Sequence, residues 1–202
     1  QQSDMLCVMA TEVARYYDDW AGTYETFMAG VGYRHPAICM ALLTRHVPRG
    51  AGPILDAGAG TGLVGEWLGI VGYPAVEALD ISDGMLAIAA RKGVYKRMHK
   101  AALGGPLPFP DKAYAAIVSS GVFTTGHVGA EGLDELYRIC RPGGAIVLTV
   151  KDTLWHGGFA GTLAAHAAAG RIVIAEETPP YSSMPGEAGN IPSRAVVLTL
   201  PM

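Results

Sequence analysis

Asp56, Gly58, Gly60, Gly62 and Asp80 are the residues whose types and spacing could do chemistry. Pro53–Ala57 is a short apolar run carrying an acid near its end. Glycines follow at alternate positions, and then Leu63, Val64, Trp67 and Leu68 recur at helical spacing. That pattern predicts a strand, a tight turn and a helix. Alternate glycines permit positive φ and let a ligand approach the main chain. The turn also sits at a helix mouth, where free N–H groups point outward. Asp56, at the strand end, is expected to meet a cationic group of that ligand. Asp80 ends a second predicted strand, Val76–Asp80. In a parallel β-α-β unit it would lie beside the turn, where a carboxylate can take both hydroxyls of a ribose. The alternative, Asp80 as a helix cap, is weaker because Ser82 already caps the next helix.

Two ligands compete for the turn. Gly60-Thr61-Gly62-Leu63-Val64-Gly65 is formally a dinucleotide fingerprint. It starts late, after Gly58 and Ala59, and a pyrophosphate would be repelled by Asp56. S-adenosylmethionine carries a sulfonium and an ammonium but no phosphate, so an acid there is favourable. Asp56-x-Gly58-x-Gly60-x-Gly62 resembles the D/E-x-G-x-G-x-G signature of class I S-adenosylmethionine-dependent methyltransferases.

The elements that must position these residues follow in order. Residues 5–29 read as one or two helices, with Tyr16, Tyr17, Trp20, Tyr24 and Phe27 largely on one face. Such a stripe is either core or a partly wet lid, and a lid would add cation–π attraction to a sulfonium, of order 0.5–2 kcal/mol. Tyr33 and Arg34 precede a helix ending near Val47; Arg34 is either a fork donor for the ligand's carboxylate or a surface residue. After the glycine turn, a helix reaches about Ile70 and is broken by Gly72, Tyr73 and Pro74. Strands are then expected over Val94–His99, Tyr114–Ser120 and Ala145–Val150, with a helix over Gly132–Cys140 stopped by Arg141-Pro142-Gly143-Gly144. An alanine-rich helix, Trp155–Ala169, precedes two strands, Arg171–Thr178 and Ala195–Leu200, read as an antiparallel pair. No linker, repeat or low-complexity tract appears. The expectation is one α/β domain over 1–202: a helical cap over 1–48, then a ligand-binding core and C-terminal strands over 49–202.

Four segments recur in the order and spacing of class I methyltransferases: Leu55–Gly62, Leu79–Ser82, Leu107–Asp111 and Arg141–Ala145. More narrowly, Tyr17-Asp18-x-Trp20-Ala21-x-x-Tyr24-Glu25, Tyr33-Arg34-x-Pro36, Gly84-Met85-Leu86 and Gly121-x-Phe123-Thr124-x-Gly126-His127-Val128 resemble the Williams-Beuren-syndrome-region methyltransferase-like proteins. The resemblance covers roughly residues 13 to 200. It implies a Rossmann-like sheet of seven strands, mostly parallel with one antiparallel C-terminal strand, helices on both faces, and an N-terminal helical lid. It implies S-adenosylmethionine as cofactor and S-adenosylhomocysteine as product. Asp56 and the backbone of Gly58 and Gly60 would hold the methionine end, with Tyr17, Trp20, Tyr24 and Arg34 above. Asp80 would hold the ribose, Ile81, Ala102 and Leu103 the adenine, while Ser119 and Gly121 line the methyl end. It does not imply a substrate. Two departures stand out. Lys100-Ala101-Ala102-Leu103 lacks the acid many relatives place after the third strand, leaving only backbone groups for the adenine amine. Tyr114-Ala115 stands where many have Phe-Asp.

The chain's 202 residues can hold a full core; half are apolar, 16% are charged and the net charge is −3. Low charge without a long apolar run predicts a soluble protein with no membrane partner and no nucleic-acid surface. Arg91, Lys92, Lys96, Arg97 and Lys100 cluster, but read best as a solvated helix end and edge strand. Cys7, Cys39 and Cys140 are odd in number and far apart, with no metal spacing among them or with the histidines. They are expected as buried or half-buried thiols in a reducing cytoplasm. No signal peptide shows, although the chain opens on Gln1 rather than Met.

Methyl transfer is an in-line displacement, so alignment does most of the work, up to ~7–11 kcal/mol in favourable cases. A general base matters only if the nucleophile must lose a proton. Tyr33, Gly121, Phe123, His127 and Trp155 are the candidates facing the acceptor, and His127 alone titrates near neutrality. It is either that base or a loop histidine bonded to backbone. No Asn-Pro-Pro-Tyr element follows strand four, which with the acidic balance favours a small-molecule acceptor. Monomer and homodimer both remain open, as do two other functions: a binding protein without turnover, and an NAD-dependent oxidoreductase.

Overall fold

The computed structural model describes residues 2–202, with side chains from residue 11 onward; Gln1 and the Cys7 side chain lie outside the described residues. Its seven strands are β1 Ile54–Ala57, β2 Val76–Asp80, β3 Arg97–Lys100, β4 Tyr114–Phe123, β5 Cys140–Lys151, β6 Val173–Glu177 and β7 Ser193–Thr199. They form one sheet in the order β3-β2-β1-β4-β5-β7-β6. β1 pairs in parallel with both β2 and β4, while β7 runs antiparallel to both β5 and β6. The one reversed strand therefore lies inside the sheet, and β6 forms the edge. After β1 the chain winds outward to β2 and β3, then returns to β4 on the other flank. That reversal opens a crevice beyond the carboxyl ends of β1 and β4.

Alternation along the central strands divides the core in two. Leu55, Ala57, Ile117, Ile146 and Leu148 pack with α6 (Leu133–Ile139) and α7 (Ala160–Ala168). Ile54, Ala116, Val118 and Val147 pack on the opposite face with α3 (His35–His46) and α4 (Leu63–Ile70). Burial on both faces is why these strands read as continuous apolar runs. Cys39 and Cys140 are buried, as expected.

Several boundaries differ from the sequence expectation, each for a packing reason. The predicted third strand begins at Arg97 rather than Val94 because Tyr95 leaves the edge to pack beneath the glycine turn. β4 runs on to Phe123, but its pairing with β5 shifts register between Ser119 and Phe123. A bulge of this kind re-aims side chains next to a site. α6 ends at Ile139, just before Arg141–Gly144 as expected, but β5 starts at Cys140, so these residues also form an irregular part of that strand.

The N-terminal segment divides into α1 (Gln2–Trp20) and α2 (Tyr24–Gly30). Two polar ties fasten it to the core. Asp18 Oδ1 accepts from Ser82 Oγ at 2.6 Å and from the Gly84 N–H at 2.8 Å, which docks α1 on the start of α5 (Asp83–Lys92). A Cβ at Gly84 would lie only 3.0 Å from the Asp18 Cα, so the two backbones meet closely. Lys92 Nζ lies 2.5 Å from both Glu25 of α2 and Glu66 of α4. This lysine, read from sequence as part of a solvated cluster, is largely buried beneath the cap. The loop between β6 and β7 completes the roof: the Arg34 N–H donates to Ser183 O at 2.9 Å and the Gly186 N–H to Val31 O at 3.0 Å. Among the described residues, no helix is long and apolar enough to cross a membrane.

The Asp18 carboxyl is held below its ordinary pKa by the Ser82 hydroxyl first and the Gly84 N–H second. A depressed carboxyl pKa stabilises the fold above the unfolded value, near 4, and that contribution is lost as pH falls through the folded value. We expect Asp18→Ala to cost about 1 kcal/mol, because the tie is exposed. It should also speed tryptic cleavage after Arg15 at neutral pH, read by mass spectrometry. Equal cleavage rates would show that the tie does not hold α1.

Candidate cofactor site

A cavity of 390 Å³ occupies the crevice, within the size range of small-molecule sites. Its floor is the turn after β1. Gly58 and Gly60 line it with φ of +82° and +55°. A Cβ at Gly58 would overlap the Val122 side chain, whereas one at Gly60 would meet nothing within 4 Å. Gly60 is therefore required by its backbone conformation and leaves open space above the chain.

Asp80, at the end of β2, lines the cavity and ties the two strand tips together. Its Oδ2 accepts from the Gly60 N–H at 2.7 Å and its Oδ1 from the Ser82 N–H at 2.9 Å. Burial raises its pKa, partly opposed by the N–H groups of Ser82, Gly60 and Ile81. Ile81, Ala102 and Leu103 form the adjoining apolar wall. Tyr17 and Tyr24 close the cavity from the cap. Trp20 does not reach it but backs both rings, 6.2 Å from Tyr17 and 4.9 Å from Tyr24 between centroids. Burial pushes the Tyr17 phenol up to about 12 and Tyr24 well above its usual value, so both remain protonated.

Asp56 departs from expectation. It is fully buried and does not line the cavity. Strand alternation turns it to the α3/α4 face with Ile54, opposite Leu55 and Ala57. There its Oδ2 accepts from the Tyr95 hydroxyl at 2.6 Å, while Oδ1 is buried without a hydrogen-bond partner. Burial is the main cause that raises this carboxyl to about 7.

At the end of β4 the side chains sort differently from the expected order. Ser119 Oγ donates to Ala57 O at 2.8 Å inside the core, and the register shift brings Ser120 to the cavity instead. Ser120 Oγ is buried, with the Tyr33 hydroxyl and Cys39 thiol as neighbours. Gly121 lines the cavity, and a Cβ there would come within 2.5 Å of the Tyr33 hydroxyl, so Tyr33 stands directly behind it. Phe123 and Trp155 are core residues: Phe123 packs on Phe159 at 5.6 Å, and Trp155 lies under the Arg194 guanidinium at 5.5 Å. Neither faces the cavity. Arg34 is exposed and does not line it. His127 does, 5.8 Å from the Tyr17 ring, and burial lowers its pKa.

Sequence reasoning chose Ser119 over Ser120 at the crevice-facing end of β4, and it missed His35 and Glu131. Ser120 differs from Ser119 by one place, and only the bulge decides between them. His35 is buried behind Gly121 with Nδ1 2.8 Å from the Tyr181 hydroxyl, and burial pushes its pKa down to about 3. Pairing across 146 residues leaves no local signal. Glu131 lines the cavity beside Gly104, so a carboxylate does stand near the loop after β3, supplied by the connection after β4.

A sheet in this order, a glycine turn tied to a β2 carboxylate, and a helical roof define a class I methyltransferase core. In sequence and in fold the chain is similar to the class I methyltransferases. The family described as "Methyltransferase domain" matches residues 55–148. The chain is 35% identical over 142 residues to methyltransferase-like protein 27 of Homo sapiens, covering 67% of this chain and 56% of that one. It is 31% identical over 140 residues to a demethylmenaquinone methyltransferase of Clavibacter sepedonicus, covering 68% and 57%. The chain thus spans little more than half the length of these curated relatives. The fold is similar to that of a TehB-like methyltransferase from Corynebacterium glutamicum, with a TM-score of 0.65, 20% identity, and 92% and 98% of the two chains covered.

Two stability predictions follow from the buried groups. Phe123→Ala should cost about 3–5 kcal/mol in urea unfolding, the cost of a core cavity; a loss under 1 kcal/mol would place its ring outside the core. For Asp56 the sign is reversed from the usual carboxylate. Its folded pKa, about 7, exceeds the unfolded value, so the native state binds more protons between roughly pH 4 and 7. Stability from this group falls as pH rises through that window and is level above it. Urea melts at pH 5 and pH 8 should show a smaller loss for Asp56→Asn than for the wild type.

Proposed function

We propose that this chain transfers the methyl group of S-adenosylmethionine to a small-molecule acceptor by in-line displacement. The observation that carries this reading is the charge of the cavity. Among the described residues lining it, Asp80 and Glu131 are charged and both are acids; no lysine or arginine joins them. A ligand bearing a sulfonium and an ammonium suits such walls, and a pyrophosphate does not. The fit extends to the polar atoms. Ser120, whose hydroxyl is buried in the cavity wall beside the Tyr33 hydroxyl, gives a ligand one further polar neighbour. The open space above Gly60 lets a ligand reach the main chain.

S-adenosylmethionine, when bound, supplies a methyl carbon already attached to a good leaving group. The residues then have to hold and align. Asp80 takes the ribose with its remaining lone pairs, since each oxygen already accepts one N–H. Ile81, Ala102 and Leu103 cover the adenine, with Glu131 at its edge. Tyr17 and Tyr24 exclude water from above and present aromatic faces to the cation. Ser120 and Gly121 border the transfer point. His127, on the exposed rim of the cavity, can accept a proton at a ring nitrogen from an acceptor that must lose one. Enclosure by α1 and α2 supports a small acceptor, as does a relative named for demethylmenaquinone.

Calorimetry should show S-adenosylhomocysteine binding and no binding of NAD. Asp80→Ala should weaken S-adenosylhomocysteine about 10- to 100-fold, the loss of hydrogen bonds to a charged group. Transfer of a labelled methyl group across a panel of phenols, amines and acids then tests turnover. Tight NAD binding, or an Asp80→Ala affinity equal to wild type, would overturn the reading.

A further inference from the structure

The glycines at 60, 62 and 65 match a dinucleotide fingerprint, and the proposed function leaves Gly65 unexplained. Tyr95 accounts for Gly65 and crowds Gly62, whose φ of +89° already favours glycine. A Cβ at Gly65 would overlap the Tyr95 ring, and one at Gly62 would lie 3.1 Å from its Cε2 and 3.3 Å from the Ala89 Cβ. Gly65 has no positive φ to require glycine, and it stands inside α4, where glycine is otherwise disfavoured. Its place is dictated by the ring. That ring is wedged between α4 and α5 directly beneath the turn, and its hydroxyl donates to Asp56 Oδ2 at 2.6 Å.

The turn is thus anchored on two sides. From the β2 tip, Leu79 O accepts from the Gly58 and Ala59 N–H groups at 2.7 and 2.9 Å, and Asp80 accepts from Gly60. From below, the Tyr95 ring supports Gly62 and Gly65, and its hydroxyl fixes the carboxylate at the end of β1. Asp56 itself is sealed from the cavity.

We propose that Tyr95 is a positioning residue of the cofactor site, and that Asp56 acts on the ligand through Tyr95 and the glycine turn rather than by contact. This rests on the reading of the cavity as the S-adenosylmethionine site. Tyr95 also remains a donor at any working pH, because burial first, and the Asp56 charge second, raise its phenol far above the ordinary value.

The test is calorimetry with two probes, S-adenosylhomocysteine and 5′-methylthioadenosine, which lacks the amino-acid end. The variants are Tyr95→Phe, Gly65→Ala and Asp56→Asn, each checked for folding by circular dichroism. Tyr95→Phe should weaken S-adenosylhomocysteine at least tenfold and 5′-methylthioadenosine less than threefold, because the turn faces the amino-acid end. Gly65→Ala, which displaces the ring while leaving the hydroxyl in the chain, should reproduce that split, and serves if Tyr95→Phe does not fold. Asp56→Asn keeps an oxygen for the Tyr95 hydroxyl and should lose less than threefold. A tenfold loss in Asp56→Asn with near-wild-type binding in Tyr95→Phe would mean direct contact and overturn this inference alone. Equal losses for both probes in Tyr95→Phe would reduce Tyr95 to general packing and overturn it too. A wild type that binds neither probe would overturn the cofactor reading and this inference with it.

Discussion

The structure depends on a carboxylate at one strand tip accepting a backbone N–H from the turn at the next. Asp80 ends β2 and Gly60 lies in the turn after the adjacent parallel strand β1, so their contact ties the two strand tips together. Parallel strands need long crossovers, so their tips are not joined by any short loop. A polar bridge between the tips supplies that rigidity where the sheet opens. It also leaves a partly exposed acid facing the space that the strand order creates.

Charge is arranged around this bridge in layers. Acids line the cavity, phenols roof it with their protons retained, and the cations lie outside. Lys92 is taken by Glu25 and Glu66, Arg194 by Asp152 and Glu177, and Lys151 reaches the Ile191 carbonyl. Lys100 pairs with Asp83 on the surface. A cavity so furnished favours a positive guest without a buried counter-ion pair, whose desolvation would cost more than it returns. The raised pKa values of Asp56 and Asp80 show the same cost from the protein's side, since burial outweighs the hydrogen bonds each acid accepts.

The roof is built from three separated stretches: α1 and α2, the turn at 31–34, and the loop at 181–186. They meet through Asp18, Lys92 and two backbone hydrogen bonds. Buried apolar contact is strongest below, between sheet and helices, and these upper ties are polar and partly exposed. Such ties each contribute little, so the roof is held less tightly than the floor, as a site that must admit and release ligands requires.

The primary sequence determined the strand-turn-helix at 53–68, the acid at the end of β2, the aromatic stripe and the number of strands, because each is written in local periodicity or in family spacing. Tertiary structure decided which way single residues face. Asp56 looked like a ligand contact until strand alternation turned it inward to Tyr95. Ser119 and Ser120 exchanged places through a bulge set by pairing with β5. Phe123 and Trp155 were claimed by the core beneath the cavity. Local sequence specifies an element and its period, but a one-residue change of register reverses every side chain on a strand, and only the packed neighbours fix that register.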